Sequence, residues 1–166
     1  MTEPFIIREA KLDDWPAIVE FNRRLAEETE GLRLDPGILE AGVKAALADA
    51  AKARYFVAEN SSGELIGQLM YTWEWSDWRN GQIWWLQSVY VLGEYRGAGV
   101  FRSLFQFLRQ QAHLTVGVVG LRLYVEDHNE QAQGVYNRLG MKAAGYRVFE
   151  DIWVGAGSTN SLADHA

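Results

Sequence analysis

Residues 4 to 11 mix apolar and polar positions as a short edge strand does, and Asp13 and Asp14 then offer caps to a helix carrying Pro16 in its first turn. Ile18, Phe21 and Leu25 follow at helical spacing and predict its buried face. Glu27, Glu28, Thr29, Glu30 and Gly31 end this helix in an acidic loop, and Asp35-Pro36 opens a second helix to about Asp49 with Ile38, Val43 and Leu47 inward. From Tyr55 the period shortens. YFVAEN reads as a strand, Ser61-Ser62-Gly63-Glu64 as a hairpin turn, and LIGQLMYTWEWS as the longer return strand. The Asn-Gly step in Arg79-Asn80-Gly81 predicts a second hairpin, so QIWWLQSVYVL pairs antiparallel with its predecessor.

That last strand carries Ile83, Trp85, Val89 and Val91 on one parity and Trp84, Leu86 and Tyr90 on the other. Bulk on both sides predicts a central strand covered on both faces. After GEYRGAG comes a helix of about fifteen residues with Phe101, Leu104, Phe105 and Leu108 in one stripe. GLRLYVED then alternates as a strand, and Asn129 caps a further helix in which Ala132, Val135, Tyr136 and Leu139 share a face before a left-handed cap at Gly140. AAGYRVFEDIWV reads as the last strand. The small, polar GAGSTNSLADHA closes the chain, and residues 155–166 are expected to be a disordered tail behind a single domain over 1–154.

Composition narrows the chemistry. A net charge of −6 without a basic stripe argues against nucleic acid as a partner. The absence of cysteine removes disulfides, thiolate zinc sites and thiol nucleophiles together, and His113, His128 and His165 lie too far apart for a zinc-hydrolase spacing, so no metal is expected. MTEPFIIREAK has no basic region leading into an apolar stretch, and no window of about 18 consecutive apolar residues follows. The expectation is a cytoplasmic protein with no membrane partner.

The segment Arg96-Gly97-Ala98-Gly99-Val100-Phe101-Arg102 lies between a strand and a helix, where backbone amides and the helix dipole favour an anion. A P-loop requires Gly-Lys, a dipeptide this chain lacks, and a dinucleotide fingerprint requires glycine where Arg102 stands. A tight strand-to-helix turn is the plain alternative. The whole stretch VYVLGEYRGAGVFRSLF resembles the acetyl-CoA segment of the GNAT superfamily of N-acyltransferases, whose pattern is Q/R-x-x-G-x-G/A. Arg96 to Val100 match its first five places, and Phe101 departs from the sixth. LYVEDHNEQAQGVYNRLGM resembles the family's later strand and helix through Asn129, Ala132, Tyr136 and Gly140. The resemblance implies an α/β fold with a central mixed, mostly antiparallel, twisted sheet flanked by helices.

It also implies roles. Main chain at Val89 and Val91 would bond the pantetheine arm of acetyl-CoA, the loop from Gly97 to Arg102 would hold the pyrophosphate, and Arg96 and Arg102 would add charge. Asn129 would meet the pantetheine or simply cap its helix. Tyr136 resembles the tyrosine that protonates the departing thiolate, a useful donor because a thiol has a pKa of about 8.5. The attacking amine, with a pKa of about 10.4, must lose a proton, yet Tyr124 stands where some relatives have a basic glutamate. Glu126 and Asp127 are local candidates for that base, with a water relay as the alternative. Without cysteine, direct transfer is expected.

YTWEWSDWRN completes the picture of the acceptor. Trp75 with Glu74 or Asp77, Glu27 and Glu28 from the acidic loop, and Tyr124 are candidates to hold a cationic small-molecule amine such as a polyamine or amino sugar. The plain readings are a packed sheet face, an aromatic homodimer patch and a solvated helix end. A protein or peptide amine is the second acceptor class. A non-catalytic acyl-CoA-binding domain is the alternative outside enzymology.

Overall fold

The computed structural model describes residues 4–153. Two compact units divide the chain, one ending at Leu123 and the other starting at Tyr124. The first holds β1 (Phe5–Glu9), α1 (Trp15–Glu30), α2 (Pro36–Ala48), β2 (Arg54–Asn60), β3 (Leu65–Ser76), β4 (Gly81–Val91), α3 (Val100–Leu114) and β5 (Val118–Arg122). The strands form one sheet in chain order, antiparallel through β4, with β5 parallel to β4 after the α3 crossover. The expected α/β class with a mixed, mostly antiparallel sheet is what the chain forms.

Each face of the sheet has its own cover. Ile18 of α1 and Val43 of α2 pack on Tyr55 and Val57 of β2, with Met70 of β3 alongside. On the opposite parity Phe107 of α3 meets Phe56 edge-on at 4.9 Å, and Phe56, Tyr71 and Trp84 continue as a run of ring contacts. Leu104, Phe105 and Leu108 are fully buried, so the stripe predicted for α3 is its packed face. Among the described residues no helix is long and apolar enough to cross a membrane.

The helix starts follow their caps. The Asp35 carboxylate accepts from the Ile38 amide at 2.9 Å and opens α2 at Pro36. Asp14 precedes α1 but turns its carboxylate to the Lys11 amide and to Arg8, which ties the helix entry to β1.

Several expectations need correction. Glu27 and Glu28 lie in the last turn of α1, because the helix runs to Glu30 before Gly31 takes a left-handed φ of 64°. Ile38 is 60% exposed instead of inward, since it sits in the first turn of α2, where Val43 carries the contact. β5 stops at Arg122, so Tyr124, Glu126 and Asp127 follow the strand instead of alternating along it. The last predicted strand is absent: residues 143–153 form no ladder among the described residues, and Phe149 and Trp153 stand 92% and 85% exposed. A two-residue period specifies which side chains would share a face, but a strand also needs a partner backbone. The tail expected at 155–166 lies outside the described residues.

Candidate active site

The site begins with an irregularity in β4. Gln87 faces Met70 and Tyr90 faces Gln68, so Ser88 and Val89 together oppose one residue of β3. This is a β-bulge. Ser88 adopts φ 48°, a left-handed conformation that costs a non-glycine residue energy unless its surroundings enforce it. The enforcing group is Gln68. Fully buried, it donates from Nε2 to the Ser88 carbonyl at 3.0 Å and to Asn22 Oδ1 of α1 at 2.7 Å.

The bulge moves the side chains beyond it by one parity. Tyr90 joins the face of Gln87 and packs on Phe21 of α1 at 5.5 Å, while Val91 reaches the opposite face, next to Gly67 and Val100. This corrects the strict alternation expected for β4, because an inserted residue resets the phase.

The glycine loop follows. Gly97 and Gly99 take φ 81° and 86°, and a Cβ built on either would meet nothing within 4 Å. Conformation therefore requires these glycines, and the space above them is open. Gly99 caps α3, whose ladder opens with the Ser103 amide on the Gly99 carbonyl at 3.0 Å, so the first-turn amides precede that ladder. Val100 is 1% exposed and packs into the core at the first turn of α3. Phe101 packs toward Phe105, and Arg102 is exposed on the first turn. Left-handed glycines with open space at their α-carbons, a helix N-terminus and an exposed arginine fit the diphosphate of a CoA molecule.

Arg96 is fixed from two sides. Its Nε donates to the Val91 carbonyl at 2.9 Å and its Nη2 pairs with Glu28 at 2.6 Å, while the Tyr90 hydroxyl donates to the other Glu28 oxygen at 2.7 Å. Arg96 and then Tyr90 hold the Glu28 carboxyl below its ordinary range, so it stays ionised at neutral pH. Glu28 thus joins the end of α1 to the loop. Glu27 points elsewhere and pairs with Arg23 along the helix at 2.8 Å.

Along the same face, on the other side of the bulge, Gln87 donates to Thr72 at 2.7 Å and Trp85 donates its indole N–H to Glu74. Arg122 of β5 completes this row with a 2.6 Å ion pair to Glu74. Trp75, 61% exposed, falls on the opposite parity by its pairing with Gln82, and Asp77 sits in the hairpin turn accepting the Trp78 amide at 2.9 Å. Those two sequence candidates do not join Glu28 on its face. Asn22, Gln68 and Arg122 were not singled out by sequence reasoning. The available signal was the lone amide inside the apolar run LIGQLMY, since a buried polar group demands a partner.

In the second unit Asn129 caps α4 (Glu130–Arg138), its carboxamide oxygen accepting from Ala132 at 3.0 Å. Gly140, at φ 86°, and Met141 close the helix with amides on Asn137 and Tyr136, both at 3.0 Å, the paired bonds of a Schellman cap. Burial raises the Tyr136 phenol above its ordinary pKa, so it is protonated at neutral pH. Glu126 and Asp127 lie in the turn ahead of this helix with exposed side chains, and their carbonyls accept from Gln133. Tyr124 is 59% exposed.

The family described as acetyltransferase (GNAT) matches residues 13–141. The chain belongs to this family. It is similar to the thialysine N-epsilon-acetyltransferase of Bos taurus, 32% identical over 156 residues that cover 87% of this chain and 90% of the relative. Among solved structures, a possible acetyltransferase from Clostridium difficile 630 superposes with a TM-score of 0.84 and 44% identity, covering 92% of this chain and 99% of that one. Glucosamine-6-phosphate N-acetyltransferase from Arabidopsis thaliana shares the fold at TM-score 0.71 and 17% identity, over 90% and 99% of the two chains. As a GNAT protein the chain is an acyl-CoA-dependent acetyltransferase, and acetyl-CoA is the co-substrate of the family.

Proposed function

We propose that this enzyme transfers the acetyl group of acetyl-CoA directly to a primary amine of a small molecule. The observation carrying this reading is the open glycine loop with Arg96 anchored at its start, beside the bulge at Ser88 and Val89. The name and coverage of the thialysine acetyltransferase relative support a small-molecule acceptor over a protein one. The family match runs across the boundary between the two units, which supports reading residues 1–154 as one acetyltransferase domain.

Acetyl-CoA supplies the activated thioester, and the chain's residues position it and manage the protons. Amides from Gly97 to Arg102 bind the diphosphate, with Arg102 adding charge, and main chain at Val89 and Val91 aligns the pantetheine arm. As the amine nitrogen bonds the acetyl carbon and the carbon–sulfur bond breaks, Tyr136 donates its proton to sulfur. Asn129 holds the start of the helix that carries Tyr136. The amine's proton leaves through Glu126 or Asp127, or through water to bulk, and the Tyr136 phenolate recovers a proton from solvent before the next turnover.

Thiol release measured across a panel of free amines and peptides tests the assignment. Turnover with free amines and little with peptides is expected, whereas CoA binding without amine-dependent turnover would refute an enzymatic role. Tyr136→Phe should lower kcat about 100-fold or more if the phenol is the general acid. An unchanged kcat removes Tyr136 from the mechanism.

A further inference from the structure

Glu74, Trp85 and Arg122 belong to three adjacent strands, β3, β4 and β5, and meet on the face of the sheet that carries Gln87 and Tyr90. Trp85 fixes one Glu74 oxygen through its indole N–H, Arg122 binds the other at 2.6 Å, and the guanidinium lies 5.8 Å from the Trp85 ring. The side chains of Arg122 and Glu74 are 28% and 38% exposed, so the pair is held in place and still open to solvent. A partly exposed ion pair adds little to stability, because screening and side-chain entropy offset its attraction. Its chemical content is directional instead. The guanidinium keeps N–H donors beyond the one committed to Glu74, and a carboxylate with two bonds retains acceptor sites. A cation and an anion fixed side by side complement a ligand bearing the same two charges in reverse.

We propose that the Glu74–Arg122 pair is the head-group site of the acceptor, and that the acceptor is an α-amino acid with a terminal side-chain amine. The α-carboxylate binds Arg122 and the α-ammonium binds Glu74. This assignment rests on the amine-acetylation reading above and supplies its substrate class. Spacing agrees with it. Trp85, level with Arg122 across β4 and β5, stands three residues from the bulge at Ser88, about 10 Å along the strand. Five single bonds from Cα to a lysine-type amine advance about 6 Å, and a charge-assisted hydrogen bond to the head group adds about 2.8 Å. A side chain two carbons shorter stops well short of the bulge. Gln87 and Thr72, bonded to each other between the two ends, form a polar floor for the chain.

The decisive comparison is lysine against 1,5-diaminopentane, which keeps the amine and its spacing but lacks the carboxylate. The KM of the purified wild-type enzyme should be about tenfold or more lower for lysine, reflecting a charge-assisted contact. Arg122→Gln should bring the ratio of the two KM values close to one, and Arg122→Lys should restore part of it. A ratio insensitive to Arg122→Gln would not be rescued by any folding defect, since both substrates are read on the same protein. Equal KM values in the wild type, or an unchanged ratio in Arg122→Gln, overturn the head-group site while leaving the acetyltransferase reading intact. Turnover of no amine at all overturns both.

Discussion

The two faces of the sheet are built from the same strands and differ in almost every other respect. On the α3 face Phe56, Tyr71, Trp84 and Phe107 contact ring to ring, and α3 adds the fully buried Val100, Leu104, Phe105 and Leu108. On the α1 face the packing of Ile18 and Val43 gives way to a row of amides and charges, from Asn22 and Gln68 through Gln87 and Thr72 to Glu74 and Arg122. Removing aromatic area from water is non-directional and strongly favourable, so the first face can hold the sheet without specifying any one geometry. Hydrogen bonds contribute less but fix positions. The division assigns stability to one side of the sheet and alignment to the other.

The largest effect should come from the aromatic face. Phe56→Ala removes a buried ring between Tyr71 and Phe107 and should cost about 3–5 kcal/mol in denaturant unfolding, with kcat per folded molecule close to wild type. A comparable loss of kcat would break the division. Gln68→Leu should show the reverse balance. It leaves the Ser88 carbonyl and Asn22 without their partner, costing about 1–3 kcal/mol, and it releases the bulge, so kcat should fall by more than the fraction unfolded accounts for. Wild-type kinetics in folded Gln68→Leu would place the bulge outside the reaction.

The smallest test uses pH. Burial pushes the Tyr71 phenol up to about 12, against about 10 for an unfolded chain, so the folded state favours the neutral phenol. Its contribution to stability is complete below about pH 10 and is lost as pH rises toward about 12, where the unfolded chain releases the proton first. Unfolding free energies of Tyr71→Phe at pH 9 and pH 11 should differ less than those of the wild type.

Much of this was legible in the sequence. Caps at Asp35 and Asn129, the Asn-Gly hairpin and the stripe on α3 depend on local chemistry, and each appears where it was expected. The glycine loop was legible for the same reason, because Gly97 and Gly99 answer to their own φ angles. What was hidden depends on partners distant in the chain. Gln68 is 46 residues from Asn22, Arg122 is 48 from Glu74, and Glu28 is 68 from Arg96. No periodicity encodes such meetings. The strand expected at 143–154 failed likewise over its described residues, 143–153, since alternation alone supplies no ladder. The phase of β4 was missed because nothing at Ser88 itself announces a bulge.

That bulge decides which side chain at the end of β4 reaches Glu28. Regular alternation through this stretch with Ser88 retained would set Tyr90 opposite Gly67, turning it toward the α3 face and Val91 toward Glu28. Neither exchange has room or chemistry to succeed. Next to Gly67 even an added methyl group would lie 3.1 Å from the Val100 side chain, so a phenol ring has no place there, and valine cannot donate the hydrogen bond that Glu28 receives from Tyr90. With Ser88 present, the bulge is therefore the arrangement that keeps Tyr90 on the face of Glu28 and Val91 beside Gly67.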